Sequence, residues 1–456
     1  MNGELVNASV TFDTDTGKII EINAASDSLT AVQKPNCPTI DYGDLVILPG
    51  IVDSHVHLNE PGRTEWEGFA TGTKAAAAGG VTTVVDMPLN ALPPTTSVEN
   101  LLIKKDAANG QCWVDVGFLG GIIPGNERDL IPLVEAGVRG FKCFLIDSGV
   151  DEFPSVDIDQ VAVATKTLSG LKEHTVIMFH AEMDCKQKHG TESDNGSKLG
   201  PSDAYDSFLT SRPDQFETDA ITAVIKVAET AASNVSKAPP FHIVHLASAE
   251  ALPLVAEAQA RGLKVSAETC YHYLTFNSES IPDKATVFKC CPPIRTKANQ
   301  AQLWKALQDG IIQTVVSDHS PCTPHLKDLE NGDFFRSWGG ISSVGLGLSV
   351  IWTEVKNNHL QVSLPEISQW TSARTAKLVG LDHRKGTIEV GKDADFCIFD
   401  PDHEWQLDQS KMHFKNKLSP YHGRKVTGLV EETILRGISV FNAETGHVKT
   451  PIGKFC

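Results

Sequence analysis

Between residues 46 and 320 one rhythm repeats: a short apolar run, a polar loop, then a helix-length amphipathic segment. Apolar runs stand at 45–53 (LVILPGIVD), 81–87 (VTTVVDM), 113–120 (WVDVGFLG), 139–145 (RGFKCFL), 175–180 (TVIMFH), 241–247 (FHIVHLA), 263–269 (LKVSAET) and 312–318 (IQTVVSD). Runs of Val and Ile with helices between them describe a parallel sheet covered on both faces. The intervening EWEGFATGTKAAAAGG packs alanines ahead of a Gly-Gly stop, and DAITAVIKVAETAA and EALPLVAEAQARG carry apolar residues at three-to-four spacing. Eight such strands over this length predict an α/β fold, a (β/α)8 TIM-like barrel. A doubly wound open sheet is the runner-up, but no G-x-G-x-x-G opens any helix.

The two ends of the chain have another character. Residues 4–45 and roughly 385–456 read as short β pieces with turns, GTIEVGKDADFCIFD and ETILRGISVFNAETG among them. Neither end looks self-sufficient, so a small β-sandwich domain formed by both is expected. The expected boundaries are 1–48 and 386–456 for that domain and 49–385 for the barrel, with crossings near Pro49 and Gly386. The polar stretch 184–215 reads as an insertion, a lid or interface loop.

In such barrels active-site residues sit at the C-terminal ends of the strands. Those positions hold His55 and His57 after strand 1, Lys142 in strand 4, His180 ending strand 5, His245 ending strand 6 and Asp318 ending strand 8. His55 and His57 are two apart, so their imidazoles share one face of the strand. Nitrogen and oxygen donors without cysteine suit Zn²⁺, with Mn²⁺, Co²⁺ and Fe²⁺ as alternatives. Four histidines and an aspartate exceed what one four-coordinate catalytic zinc needs and suit two ions sharing a bridge. An ammonium at Lys142 would be repelled there. It either points away or has reacted with CO₂ to give an anionic carbamate.

Charge and cysteine usage narrow the partners. A formal net charge of −17 argues against nucleic acid or an anionic membrane surface. No apolar stretch is long enough to span a bilayer and no signal peptide is evident. Ten scattered cysteines without a C-x-x-C pair fit a reducing, cytoplasmic setting. The chain does not end in the S-K-L peroxisomal address.

D-S-H-V-H, a strand-4 lysine, two further strand-end histidines and a strand-8 aspartate together resemble the cyclic amidohydrolases of the amidohydrolase superfamily. That group includes dihydroorotase, dihydropyrimidinase (hydantoinase) and allantoinase. GFKCFL, CYHYL, CCPPIR, SDHSPCTP, WGGIS and SPYHGR are most similar to the allantoinase branch, and the likeness extends through GKDADF. Two departures separate the chain from the other branches. Asn59 stands where dihydroorotases carry the arginine that holds a substrate carboxylate, and Cys291 stands where dihydropyrimidinases carry serine before the paired prolines. The resemblance also implies a strand upstream of Met1, so the small β domain is expected to lack one.

The resemblance implies a role for each of these residues. His55, His57 and Asp318 hold one ion, His180 and His245 the other, and carboxylated Lys142 bridges them. Asp318 moves the proton from the attacking water to the leaving ring nitrogen. Backbone groups around Cys291, Ser320 and Gly340 contact the cyclic amide. Arg63 and Arg424 either bind a ureido group or pair with carboxylates. The implied substrate is allantoin, opened to allantoate in purine breakdown. The alternative is a hydantoinase or dihydropyrimidinase acting on another ring, and a homotetramer is the expected assembly.

Overall fold

The computed structural model describes residues 4–24, 37–184, 200–234 and 237–456. Most of the predicted insertion, residues 185–199, lies outside the described residues. Two strands open the chain, β1 (Ala8–Asp13) and β2 (Lys18–Ala24), paired antiparallel. The apolar run 45–53, expected as a single strand, is two. β3 (Val46–Pro49) and β4 (Ile51–Val56) part at Gly50, where a Cβ would sit 2.2 Å from Thr82 Oγ1. That close approach lets the chain leave one sheet and enter another.

From β4 the chain winds a parallel barrel. Its strands are β5 (Val81–Asp86), β6 (Asp115–Phe118) continued by β7 (Gly120–Gly121), β8 (Phe141–Phe144), β9 (Ile177–His180), β10 (Phe241–Ile243), β11 (Val265–Cys270) and β12 (Thr314–Val316). Two parallel sheets, β4-β5-β6 and β7 through β12, join at the β6–β7 run. Leu119 N bonds Asp86 O on one side, and Gly120 N bonds Gly140 O on the other. Closure comes from a parallel bridge between Val56 and His319, with His57 N donating to His319 O at 2.8 Å. The eight staves therefore form one ring, which decides for the barrel over the open sheet.

Nearly every strand residue of this ring is buried, because a helix covers the outer face after each stave. The helix Phe69–Ala78 shows how sequence permits this. Its alanines 75–77 are buried, and Gly79 ends it where an added Cβ would lie 1.9 Å from Gly345 O. Only glycine allows that approach.

The remaining strands, β13 (Phe396–Gln406), β14 (Lys425–Leu435), β15 (Ile438–Asn442) and β16 (Gly446–His447), form an antiparallel sheet whose far edge is β3. Both chain ends thus build one sheet. The β1–β2 hairpin packs on it through Ile19, Phe396, Ile398 and Ile434, forming the expected sandwich. GTIEV, part of the expected β pattern, is instead a turn leading to β13.

An ionic network joins this sheet to the barrel at the N-terminal end of the staves. Lys385 Nζ lies 2.7 Å from Asp115 Oδ2, 2.6 Å from Asp395 Oδ2 and 3.0 Å from Asp393 Oδ2. Arg436 also reaches Asp115, while Arg384 and Lys18 reach Asp393.

Candidate metal centre

At the opposite end of the barrel the strand termini bring all six expected ligands into one buried cluster. His55 lies in β4, and His57 follows it on the same side. Their ring centres are 5.6 Å apart. Asp318, just past β12, places Oδ1 3.2 Å from His55 Nε2 and 3.7 Å from His57 Nε2. His245 follows β10, with its ring 5.5 Å from that of His55 and 4.6 Å from that of His180. Lys142, in the middle of β8, is buried, and its Nζ lies 5.1 Å from the Phe144 ring centre. Phe144 in turn stacks on His180 at 4.5 Å.

The electrostatics favour lone pairs over protons. Burial, reinforced by the neighbouring His55 and Lys142 charges, pushes His57 well below the usual imidazole range. Burial and the Lys142 charge do the same to His245. His180 falls to about 4, chiefly by burial. Burial brings Lys142 down to about 8 despite the attraction of Asp318 and Glu268, and pushes the Asp318 carboxyl up against the pull of His55 and Lys142. Histidine nitrogens converging on one carboxylate form a donor set of the kind that takes a divalent cation. The residues fit such ions.

The far nitrogens of two rings are already occupied, an arrangement that selects the tautomer and leaves the other nitrogen for an ion. His55 Nδ1 meets Glu268 Oε1 at 2.5 Å, and His180 Nε2 meets Glu182 Oε2 at 2.7 Å. Arg212 holds Glu182 with 3.0 Å and 2.6 Å bonds. Sequence reasoning missed both glutamates. Their one signal was an acid inside an apolar strand (AET) or just beyond one (FHAE). Cys270 and His272 also come near Asp318. Burial holds the Cys270 thiol well above its usual range, which keeps it protonated and a poor ligand.

The expected substrate segments gather beside this cluster. Ser320 Oγ donates to Asp318 Oδ1 at 3.2 Å. Gly340 packs on Ser320 so closely that a Cβ would lie 2.3 Å from Ser320 O, and a Cβ on neighbouring Gly339 would lie 3.3 Å from Cys291 Sγ. The two arginines take the second of their expected options. Arg63 pairs with Glu152 at 2.5 Å over Trp66, and Arg424 pairs with Glu354. Asn59 Nδ2 donates to Pro321 O at 3.4 Å.

The amidohydrolase family model matches residues 46–440. The chain is 50% identical over 457 residues to an allantoinase of Saccharomyces cerevisiae, covering 100% of this chain and 96% of that one. It is 48% identical over 397 residues to an allantoinase of Streptomyces avermitilis, covering 87% and 84%. Among solved structures, L-hydantoinase (dihydropyrimidinase) from Arthrobacter aurescens superposes with a TM-score of 0.84 at 27% identity, covering 96% and 94%. A closed barrel, a sandwich shared by both chain ends and a match across most of the sequence lead to one statement: the chain belongs to the amidohydrolase family.

Proposed function

We propose that this chain is a metal-dependent hydrolase that opens the hydantoin ring of allantoin to allantoate, a step of purine catabolism. The observation that carries the substrate is identity of 50% to an allantoinase along the whole chain. The convergence of His55, His57, Lys142, His180, His245 and Asp318 supports the chemistry. In this reading His55, His57 and Asp318 hold one ion and His180 and His245 the other, Zn²⁺ being the first choice. The neutral Lys142 amine would add CO₂ and lose a proton, and the resulting anionic carbamate would help to hold the ions. The bound ions supply a water ionised near neutral pH and an electrophile for the carbonyl oxygen.

The chain's own residues do the rest. Asp318 takes the proton released by the attacking water and returns it to the ring nitrogen as the C–N bond breaks, because an amide anion leaves poorly without it. Backbone groups around Cys291, Ser320 and Gly340 orient the ring. Asn59, lacking the guanidinium that a carboxylated ring would need, suits an uncharged substrate. We further assign the barrel to 49–385 and the β domain to 1–48 with 386–456, and expect a cytoplasmic homotetramer. Among the described residues no helix is long and apolar enough to cross a membrane.

One assay with allantoin, hydantoin and dihydrouracil side by side, with elemental analysis of the same sample, tests this. The expected result is close to two divalent ions per chain and a clear preference for allantoin. Preference for either other ring would replace the substrate with that of a hydantoinase or dihydropyrimidinase. Active protein with almost no metal would overturn the chemistry.

A further inference from the structure

Five staves of the barrel carry candidate ligands. β11 carries none, although it lies between the stave of His245 and that of Asp318. What β11 offers is Glu268, wholly buried and in contact with three residues at once. Oε1 lies 2.5 Å from His55 Nδ1 and accepts the backbone N–H of His245 at 3.4 Å. Oε2 lies 3.0 Å from His242 Nε2, and His242 Nδ1 rests 2.7 Å from Ser266 Oγ. Both oxygens of Glu268 are thus occupied inside the barrel wall.

His245 adds a second observation. Its φ is 39°, in the left-handed region that non-glycine residues enter rarely and only where the surroundings hold them. The backbone N–H at that turn is the one facing Glu268. His55 and His245 belong to different ions in the proposed function. We infer that Glu268 is a positioning residue common to both ion subsites. One oxygen fixes the ring of His55 and steadies the backbone turn that aims His245, while the other is anchored from below by His242. Among the described residues Glu182, braced by Arg212, contacts one of the proposed ligands, His180. The two glutamates look equivalent around the centre and differ in how many subsites they support.

The inference rests on the two-ion reading, and the test separates the two. Full-length protein loaded with zinc is challenged with a graded chelator, and the zinc retained per chain is counted for wild type, Glu268→Gln, Glu268→Asp and Glu182→Gln. Glutamine is uncharged and replaces one acceptor oxygen with an amide NH2, so it weakens the bonds to His55 and His245 and forces His242 Nε2 to change from donor to acceptor. Loss of such an outer partner typically weakens metal affinity about 10–100-fold. Glu268→Gln should weaken both ions by that amount and Glu182→Gln one ion, with Glu268→Asp restoring part of the loss because it keeps the charge. Retention of both ions by Glu268→Gln, or loss of a single ion, overturns the shared role. A wild type that binds fewer than two ions overturns the parent reading instead. Should Glu268→Gln fail to fold, His242→Leu removes the lower anchor and should loosen both ions together; a wild-type retention curve in that variant overturns the proposal.

Discussion

The barrel buries charge at both ends, and the two ends treat it in opposite ways. At the N-terminal end Lys385 is surrounded by Asp115, Asp393 and Asp395, with Arg384, Arg436 and Lys18 completing the set. Burial would lower the Lys385 ammonium, but the three carboxylates hold it above its usual range. At the C-terminal end four imidazoles and Lys142 face a carboxylate pair, Asp318 and Glu268, and burial prevails: three rings and the lysine are driven toward their neutral forms. The first cluster is electrostatically closed within the chain. The second presents lone pairs of the kind that suit a divalent cation. A buried cluster whose members counter one another is structural, while one in which burial drives the imidazoles His57, His180 and His245 toward their neutral, lone-pair form is a receptor.

The largest effects test the receptor end. Asp318→Asn keeps an oxygen that can still contact an ion but cannot accept and return a proton. General acid–base catalysis is worth about 10²–10⁴-fold. Asp318→Asn should therefore retain most of its metal, lose kcat by that order and change KM less. His180→Asn should lose metal and activity in step, because its proposed role is ligation. Steady-state kinetics on allantoin with elemental analysis of each variant decides. Near wild-type turnover in Asp318→Asn removes the proton role.

At the closed end the same logic predicts loss of stability with chemistry intact. Lys385→Met leaves three buried carboxylates short of their shared cation. Breaking a buried pair on one side costs about 3–5 kcal/mol, with Arg436 and Arg384 limiting the damage at Asp115 and Asp393. Denaturant titration should show that loss, while kcat per folded molecule stays at the wild-type value. A fall in kcat without a fall in stability would mean the two ends are coupled and the contrast is false.

How far the sequence showed these ends differs too. The receptor was legible because its candidate ligands lie in or just past barrel strands, and His55 and His57 share a face by simple alternation. The strand at 45–53 was misread because Val46–Pro49 and Ile51–Val56 are equally apolar, and Gly50 marks the break through its contact with Thr82. Glu268 and Glu182 were illegible for another reason. His55 reaches Glu268 from another stave and Arg212 reaches Glu182 from a helix end 30 residues on, so those contacts depend on the closed fold, although His180 lies only two residues from Glu182. The closed network was illegible in the same way, since Asp115 and Lys385 are 270 residues apart. Arg63 and Arg424 had two options on paper, and only the fold brings Glu152 and Glu354 to them.

The smallest effect sharpens the contrast through pH. Burial alone would raise the Asp393 carboxyl, but Lys385, Lys18 and Arg384 outweigh it and hold the group below the usual carboxylate range. A carboxylate depressed in the folded state contributes stability that is present above its unfolded value, near 4, and is lost as pH falls through the folded value. Wild-type stability should therefore decline as pH drops below about 4. Asp393→Asn has no proton to take up there, so it should be less stable at neutral pH and decline less steeply, the two curves converging in acid. Asp395 works in the other direction, since burial raises it above its ordinary value. That contribution exists in both proteins and to first order cancels in their difference. Urea midpoints measured across the acid range give the difference curve directly. Parallel curves would mean that Asp393 titrates alike in the folded and unfolded chain, and the closed end would then owe its stability to packing around the network more than to the pairing of its charges.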